Sequence, residues 1–499
     1  MKNFLFYFSL YLLSCISPLY GKTSHHHFIT DLRITSEAKK ALKAFEIPGA
    51  SIGIIHKNEI IYMKSFGYRD LENKYPVTPN TIFPIGSLSK AFTAAITCML
   101  EDEKKLDLNT PAIQYFPSFK FENPYATKHL TLKDLLTHSS GLFRHDFVWY
   151  HRKATRQELI NTIQYLPLSC DIRQCFQYNN LTYTLIGTII EHISDMSFEE
   201  MVQYKIFDPL KMKNSNFSIS KMKESNNFSF PYAIRNNQVQ KIPFLDMTNV
   251  APAGGINSNL EDMLQWVKLQ LSNGTFNNHI FFKNDTLKSM HTLQFANAEY
   301  PEERLYLLGY GLGWLIGNYG GYYLVGHSGE VDGFNAQITL IPKENLGIVI
   351  LTNNGDTGSD FISCLTNTIL DRYLNLSPIN WLQKIINENN QENTSEETLQ
   401  PSTIFPPPNN INLSQYTGSY INQAYGTISI VIKNKQLLVT FHAMQAPLNF
   451  LKKDSFEMDE NKSFEALKGL PIQFIRSNDQ IINSLSIPFQ GIDILFEKQ

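Results

Sequence analysis

The 499-residue chain is poor in cysteine, in charge imbalance and in long apolar runs, and each shortage removes a class of function. Its five cysteines form no C-x-x-C pair and no spacing that suits zinc, which excludes a thioredoxin-like redox motif and a zinc module. Forty-three basic side chains against 46 acidic ones leave a formal charge of −3, without the basic excess that tracks a nucleic-acid backbone. The expected partner is a small molecule or a peptide, with no nucleic acid. An apolar run from Phe4 to about Leu13 is too short to span a bilayer. At 43% hydrophobic residues the chain can still bury a core large enough for two or three domains.

Preceded by Lys2, that amino-terminal run suits the apolar segment of an export signal, taken here as residues 1–21. Leu12-Leu13-Ser14-Cys15 looks like a bacterial lipobox, in which Cys15 is acylated and begins the mature chain. Pro18, Tyr20 and Gly21 fit the alternative, ordinary cleavage near Gly21 and release. Either route leads out of the cytoplasm, to the periplasm or the medium, or to the outer membrane if Cys15 carries lipid. Cys98 and Cys364 lie in apolar segments and read as small buried hydrophobes. Cys170 and Cys175 bracket the short polar loop CDIRQC, and an oxidising compartment permits a disulfide between them.

Residues 50–67 read as two strands joined by a turn at Lys57-Asn58. A helix over 87–102 and further helical and loop sequence follow, including LTLKDLLTH and LTYTLIGTIIEHI. Strand-like sequence returns at 321–351, and 359–374 is a periodic helical segment. The expectation is an α+β sandwich: an antiparallel sheet begun by the first strands, completed by the later ones and flanked by helices, with a large helical region between. This domain is assigned residues 22–378. Residues 379–410, rich in Asn, Gln, Glu, Ser and Pro, read as a polar linker. Alternating segments over 411–499 predict a small antiparallel β-barrel.

Chemistry is legible first at Ser87-Leu88-Ser89-Lys90, within FPIGSLSKAFTAAITCML. A serine and a lysine three residues apart share one helical face, and orphan N–H groups of a first turn favour negative charge near the serine oxygen. Taken alone, the serine could equally cap a helix. Two further constellations strengthen it. In Tyr178-Asn179-Asn180, before an amphipathic helix, a phenol can act as base or relay while an amide orients a lysine and a substrate carbonyl. In His327-Ser328-Gly329, followed by Glu330 at the expected start of a strand, a glycine lets substrate pass close to the backbone and an exposed strand edge can offer an N–H to an oxyanion.

Together with their order, the segments FPIGSLSKAFTA, LTLKDLLTHSSGL, YNNLTYTLIGTIIEHIS, APAGGINSNLEDM and GHSGEVDGF resemble the serine beta-lactamase and penicillin-binding protein superfamily. The likeness, over roughly residues 35–375, is to its class C-like branch with esterases and D-aminopeptidases. The resemblance implies Ser87 as acylated nucleophile, Lys90 as its proton partner and Tyr178 as the motif tyrosine. Asn180, His327, Ser328 and Gly329 would contact substrate, with the N–H groups of Ser87 and Glu330 as oxyanion hole. No metal or cofactor is required. His327 stands where K-T-G enzymes have lysine, which removes a permanent cation for a substrate carboxylate. The expected substrate is therefore a small peptide, D-amino-acid-containing ones included, or an ester. Beta-lactamase or D,D-peptidase activity on beta-lactams or cell-wall peptides, and a catalytically silent cell-wall-peptide binder, are the alternatives. The barrel resembles a module appended to several such hydrolases, where it shapes the catalytic mouth or mediates assembly into a homo-oligomer.

Overall fold

The computed structural model describes residues 31–298, 303–396, 411–459 and 465–499. The export segment and Cys15 lie outside these. The first sheet element is the hairpin of β1 (Gly49–His56) and β2 (Glu59–Asp70), turned by Lys57 and Asn58 with φ of 52° and 69°. Both residues occupy the left-handed region that such a tight turn demands.

The hairpin joins β3 (Tyr75–Pro76), β4 (Phe295–Ala296), β5 (Leu305–Tyr310), β6 (Leu315–Tyr319), β7 (Tyr322–Val331), β8 (Phe334–Ile341) and β9 (Leu346–Thr352). The spatial order is β4-β5-β6-β7-β8-β9-β1-β2-β3, so β1 pairs antiparallel with the distant β9, from Ala50↔Thr352 to His56↔Leu346. Residues between β3 and β4 supply the helical region.

Period-two alternation in β1 and β9 divides the core into two layers. Ile52, Ile54, Ile348 and Ile350 join α1 (Leu32–Ala44) and α7 (Gly358–Tyr373) on one face. Ile55, Val349 and Leu351 face the helical region, which holds α2 (Ser89–Asp102), α3 (Leu132–Leu136), α4 (Asn180–Ser194), α5 (Ala251–Gly254) and α6 (Leu260–Gln270). Of these, α2 is buried over Ser89–Leu100, with Phe92 stacked on Trp266 at 4.0 Å between ring centroids. A helix apolar around most of its circumference can sit only at the centre of such a layer.

Residues 411–498 contain a closed barrel of eight strands, from Gly418–Asn422 to Ile492–Lys498, filled by Tyr416, Tyr420, Phe441, Phe456, Phe474 and Phe496. Closure leaves no free sheet edge.

Within the segment read as a linker, residues 397–410 lie outside the described residues, and the part before them is helical. That part forms α8 (Trp381–Glu396), docked by an anchor that overall polarity hides. Trp381 is 4% exposed and donates its indole N–H to Asp371 Oδ2 at 2.8 Å, while Ile385 packs into the same layer. Asp371 also accepts from the Tyr319 hydroxyl at 2.8 Å and pairs with Arg304. Trp381→Ala should destabilise the protein by roughly 3 to 5 kcal/mol through the cavity and the unpaired carboxylate oxygen it leaves. Urea denaturation checks this; a loss below about 1 kcal/mol, the scale of a surface change, would contradict the docking.

Candidate active site

Ser87 sits in a single 3₁₀ turn, Gly86–Leu88, that runs directly into α2. Gly86 has φ of 52°, and a Cβ there would stand 2.7 Å from both the backbone nitrogen and the carbonyl oxygen of Glu330. A Cβ on Gly329 would come within 2.0 Å of the Ile85 carbonyl oxygen. Two glycines thus let the turn lie directly against strand β7, which brings the peptide groups around Ser87 and Glu330 together.

His327, Ser328, Gly329 and Glu330 are in the second half of β7, whereas the sequence placed them at a strand start; the strand begins earlier because Tyr322 to Gly326 pair with β6. That pairing ends at Gly326↔Leu315, while pairing with β8 continues to Val331↔Phe334. From His327 onward the edge of β7 on the β6 side has no strand partner and runs beside Ser87.

Lys90, one turn into α2, is wholly buried. Its Nζ lies 3.0 Å from Ser87 Oγ, 2.7 Å from Asn180 Oδ1 and 2.9 Å from the Ala253 carbonyl oxygen on α5. Burial holds this amine well below the ordinary lysine range; the charge of Arg144 acts in the same direction and Asp146 opposes it. Asn180 is the first residue of α4, whose preceding Asn179 caps the helix by accepting from the Thr182 N–H at 2.9 Å.

Tyr178 turns its ring toward the same amine, with Lys90 Nζ 4.6 Å from the ring centroid and the Arg144 guanidinium 5.4 Å away. Its hydroxyl bonds the Ser87 side chain. Burial raises the phenol above its usual range, outweighing that bond and the Arg144 charge, so Tyr178 is protonated at neutral pH.

His327 is almost fully buried and uses both ring nitrogens internally. Nδ1 donates to the Ser328 carbonyl oxygen at 2.6 Å, which leaves Nε2 to accept from the Tyr310 hydroxyl at 2.8 Å. Burial lowers its pKa to about 3. The ring is therefore neutral, with no spare donor for substrate.

These groups border a cavity of about 630 Å³ lined also by Arg144, Asp146, Phe147, Tyr150, Ala466 and Gln490, none of which the sequence motifs singled out. Asp146 Oδ1 accepts from Asn180 Nδ2 and from the Trp149 indole, both at 2.8 Å, and its other oxygen pairs with Arg144. The signal was present in LFRHDFVWYHR, where charged, imidazole and aromatic residues crowd an aperiodic stretch. Cys170 and Cys175 are joined by a disulfide, 6.4 Å apart between Cα atoms. Its loop is fastened beside Tyr178 by the Arg173 N–H on the Ser139 carbonyl at 2.7 Å and by the Gln177 N–H on His138 at 2.8 Å. No group of residues suited to hold a metal occurs among the described residues.

Three other buried histidines share the depression of His327: burial lowers His145 and His291 to about 4 and takes His138 well below its ordinary value. Below pH 6.5 the unfolded chain therefore binds protons that the folded chain refuses, and stability falls as pH falls. Each histidine contributes up to about 1.4 kcal/mol per pH unit until its folded pKa is reached. Urea midpoints should drop between pH 6.5 and 5, before most carboxylates titrate; a flat profile there would contradict the neutral burial of these rings.

The Beta-lactamase family model matches residues 36–370, and a Domain of unknown function (DUF3471) matches residues 404–498. The unguisins hydrolase ungD' of Aspergillus campestris is 25% identical over 417 residues, covering 79% of this chain and 76% of that protein. The octameric penicillin-binding protein homologue from Pyrococcus abyssi superposes with a TM-score of 0.63 at 23% identity, over 94% of this chain and all (100%) of that one. The D-amino acid amidase from Ochrobactrum anthropi SV3 does so with a TM-score of 0.58 at 20% identity, over 68% and 99%. The structural likenesses show the shared fold, and the family match spans more than half of the chain; this protein belongs to the beta-lactamase family, within the serine beta-lactamase and penicillin-binding protein superfamily.

Proposed function

We propose that the protein is a serine hydrolase that acylates Ser87 with the carbonyl of a small peptide, D-amino-acid-containing ones included, or of an ester, and then releases the acyl group to water. The carrying observation is the set of oxygens around Lys90. A neutral amine has two N–H donors and one lone pair. Asn180 Oδ1 and the Ala253 carbonyl can only accept, so they take the two donors and the lone pair is directed to the Ser87 hydroxyl. Burial, which holds the amine well below the ordinary lysine range, favours the neutral form.

In the proposed reaction the Oγ–H proton passes to Lys90 as Oγ bonds the carbonyl carbon. The oxyanion forms opposite the N–H groups of Ser87 and Glu330, where losing one donor typically costs about 3 kcal/mol. Collapse breaks the bond to the alcohol or amine, which takes the phenolic proton of Tyr178 while Lys90 returns its own to that oxygen. Water repeats the cycle on the acyl-enzyme. Tyr178 relays rather than acts as the resting base, because its phenol is protonated.

His327 brings a neutral wall to the cleft and no charge, which places beta-lactam and D,D-peptide substrates with their carboxylates behind neutral peptides and esters. The names of the D-amino acid amidase and the unguisins hydrolase support an amide or peptide substrate, and the octameric relative supports self-association. Export, with or without lipid on Cys15, remains part of the proposal; no helix among the described residues is long and apolar enough to cross a membrane.

Ser87→Ala should eliminate the single fluorophosphonate adduct seen by intact mass, together with ester turnover. Ser89→Ala should keep much of both, because Ser89 Oγ is occupied in structure, donating to the Gly86 carbonyl at 2.7 Å and accepting from the Ile256 N–H at 3.1 Å. Equal losses in the two folded variants would sink the assignment, and a folded wild type without adduct or turnover would favour the silent binder.

Lys90→Ala and Tyr178→Phe should each slow acylation by about a hundredfold or more, with the double variant less than additive because both handle one proton. Near-normal acylation in either single variant, measured by stopped-flow labelling, would refute the route.

A further inference from the structure

The loop 143–152 faces two ways. His145 Nδ1 lies 2.7 Å from the Tyr425 hydroxyl, Phe147 stacks on Phe489 at 4.2 Å, and Arg152 donates to the Ala424 carbonyl at 2.8 Å, all in the barrel. Between these contacts, Arg144 and Asp146 turn toward Tyr178 and Asn180. Gln490, in the barrel turn between strands Ile482–Phe489 and Ile492–Lys498, closes the circuit: Oε1 accepts from the Asp146 N–H at 3.1 Å, and Nε2 donates to Asp146 Oδ2 at 3.4 Å.

Each link of this chain from the barrel to Lys90 has one possible polarity. A backbone N–H can only donate, so the Gln490 amide must offer its oxygen to it and its NH₂ to the carboxylate. The ionised carboxylate can only accept, so Asn180 must present its NH₂ to Asp146 and its oxygen to Lys90. That oxygen consumes one amine N–H, the Ala253 carbonyl consumes the other, and the lone pair is left for Ser87. Were the Asn180 amide reversed, its NH₂ would face Lys90 and compete with Ser87 for the lone pair.

We propose that Gln490 is a positioning residue for acylation at Ser87, so that the barrel is a working part of the active site and sets the orientation of Lys90 through Asp146 and Asn180. The inference rests on the reading of Ser87 as nucleophile. It assigns the barrel a task that passive shielding of the cavity would not require.

Two variants in the full-length protein test it. Gln490→Leu keeps an unbranched Cβ at a position whose φ is 52° but removes the amide. It should slow fluorophosphonate labelling of Ser87 by about tenfold, a loss in rate constant larger than any change in probe affinity. Gln490→Glu keeps the shape and the acceptor but adds a negative charge beside Asp146. Lys90 is faced by Asp146 and Arg144 from the loop, Tyr178 and Tyr183 at α4, His138 after α3 and His327 on β7. A carboxylate added beside Asp146 favours the ammonium over the neutral amine that takes the Ser87 proton, so the acidic limb of the labelling rate, where that amine loses its proton, should move to higher pH. Wild-type rates and an unmoved limb in both variants would overturn the inference. If Gln490→Leu does not fold, the limb of Gln490→Glu decides alone. Ser87→Ala separates the premises: an adduct that survives there condemns the nucleophile, whereas an adduct lost there but normal in the Gln490 variants condemns only the positioning role.

Discussion

A fully buried amine held by three oxygens is the constraint around which the rest is arranged. An isolated ammonium at that depth would be strongly disfavoured, and an amine with unfilled hydrogen bonds would carry a penalty of its own. Helix α2 supplies Lys90, the 3₁₀ turn before it supplies Ser87, α4 supplies Asn180, and α5 supplies the Ala253 carbonyl. These elements come from residues 86 to 254, so the amine can be satisfied only once distant parts of the helical region have packed together. Packing of the helical region and satisfaction of this amine are the same event.

The parts legible in the sequence are those where one short pattern determines one local geometry. The β1–β2 hairpin declares itself by alternation and a turn, and the Ser87-to-Lys90 spacing needs only the helical repeat. The sheet and barrel follow from the same alternation. Asp146 and Gln490 were not legible, because they meet across 344 residues of sequence and nothing periodic marks a single hydrogen-bonding side chain in a loop. The role of His327 was also hidden: its partner Tyr310 sits on β5, and only the folded sheet shows that both ring nitrogens are taken. At 381–396, composition misled because one tryptophan, bonded to Asp371, holds a helix that is otherwise polar.

Around the cavity, hydrogen-bond demand and charge divide the labour. Lys90, Tyr178 and Asn180 lie at its depth among neutral rings, where burial controls protonation. Arg144 and Asp146 form a charged pair whose carboxylate also holds Asn180, and Asp332 farther along the wall accepts from the Tyr150 hydroxyl at 2.6 Å. Charge is thus placed where it orients side chains and kept off the ring that stands nearest the open strand edge.

That open edge of β7 has a consequence for how the molecule behaves in company. An unpaired row of N–H and C=O groups is the kind of surface on which sheets of separate proteins join and aggregate. Here the edge is partly occupied, the Ser328 carbonyl accepting from His327 Nδ1, and it lies in a cavity whose walls include Ala466 and Gln490 from the barrel. The barrel wall over this edge therefore also stands between it and the sheet edges of neighbouring molecules.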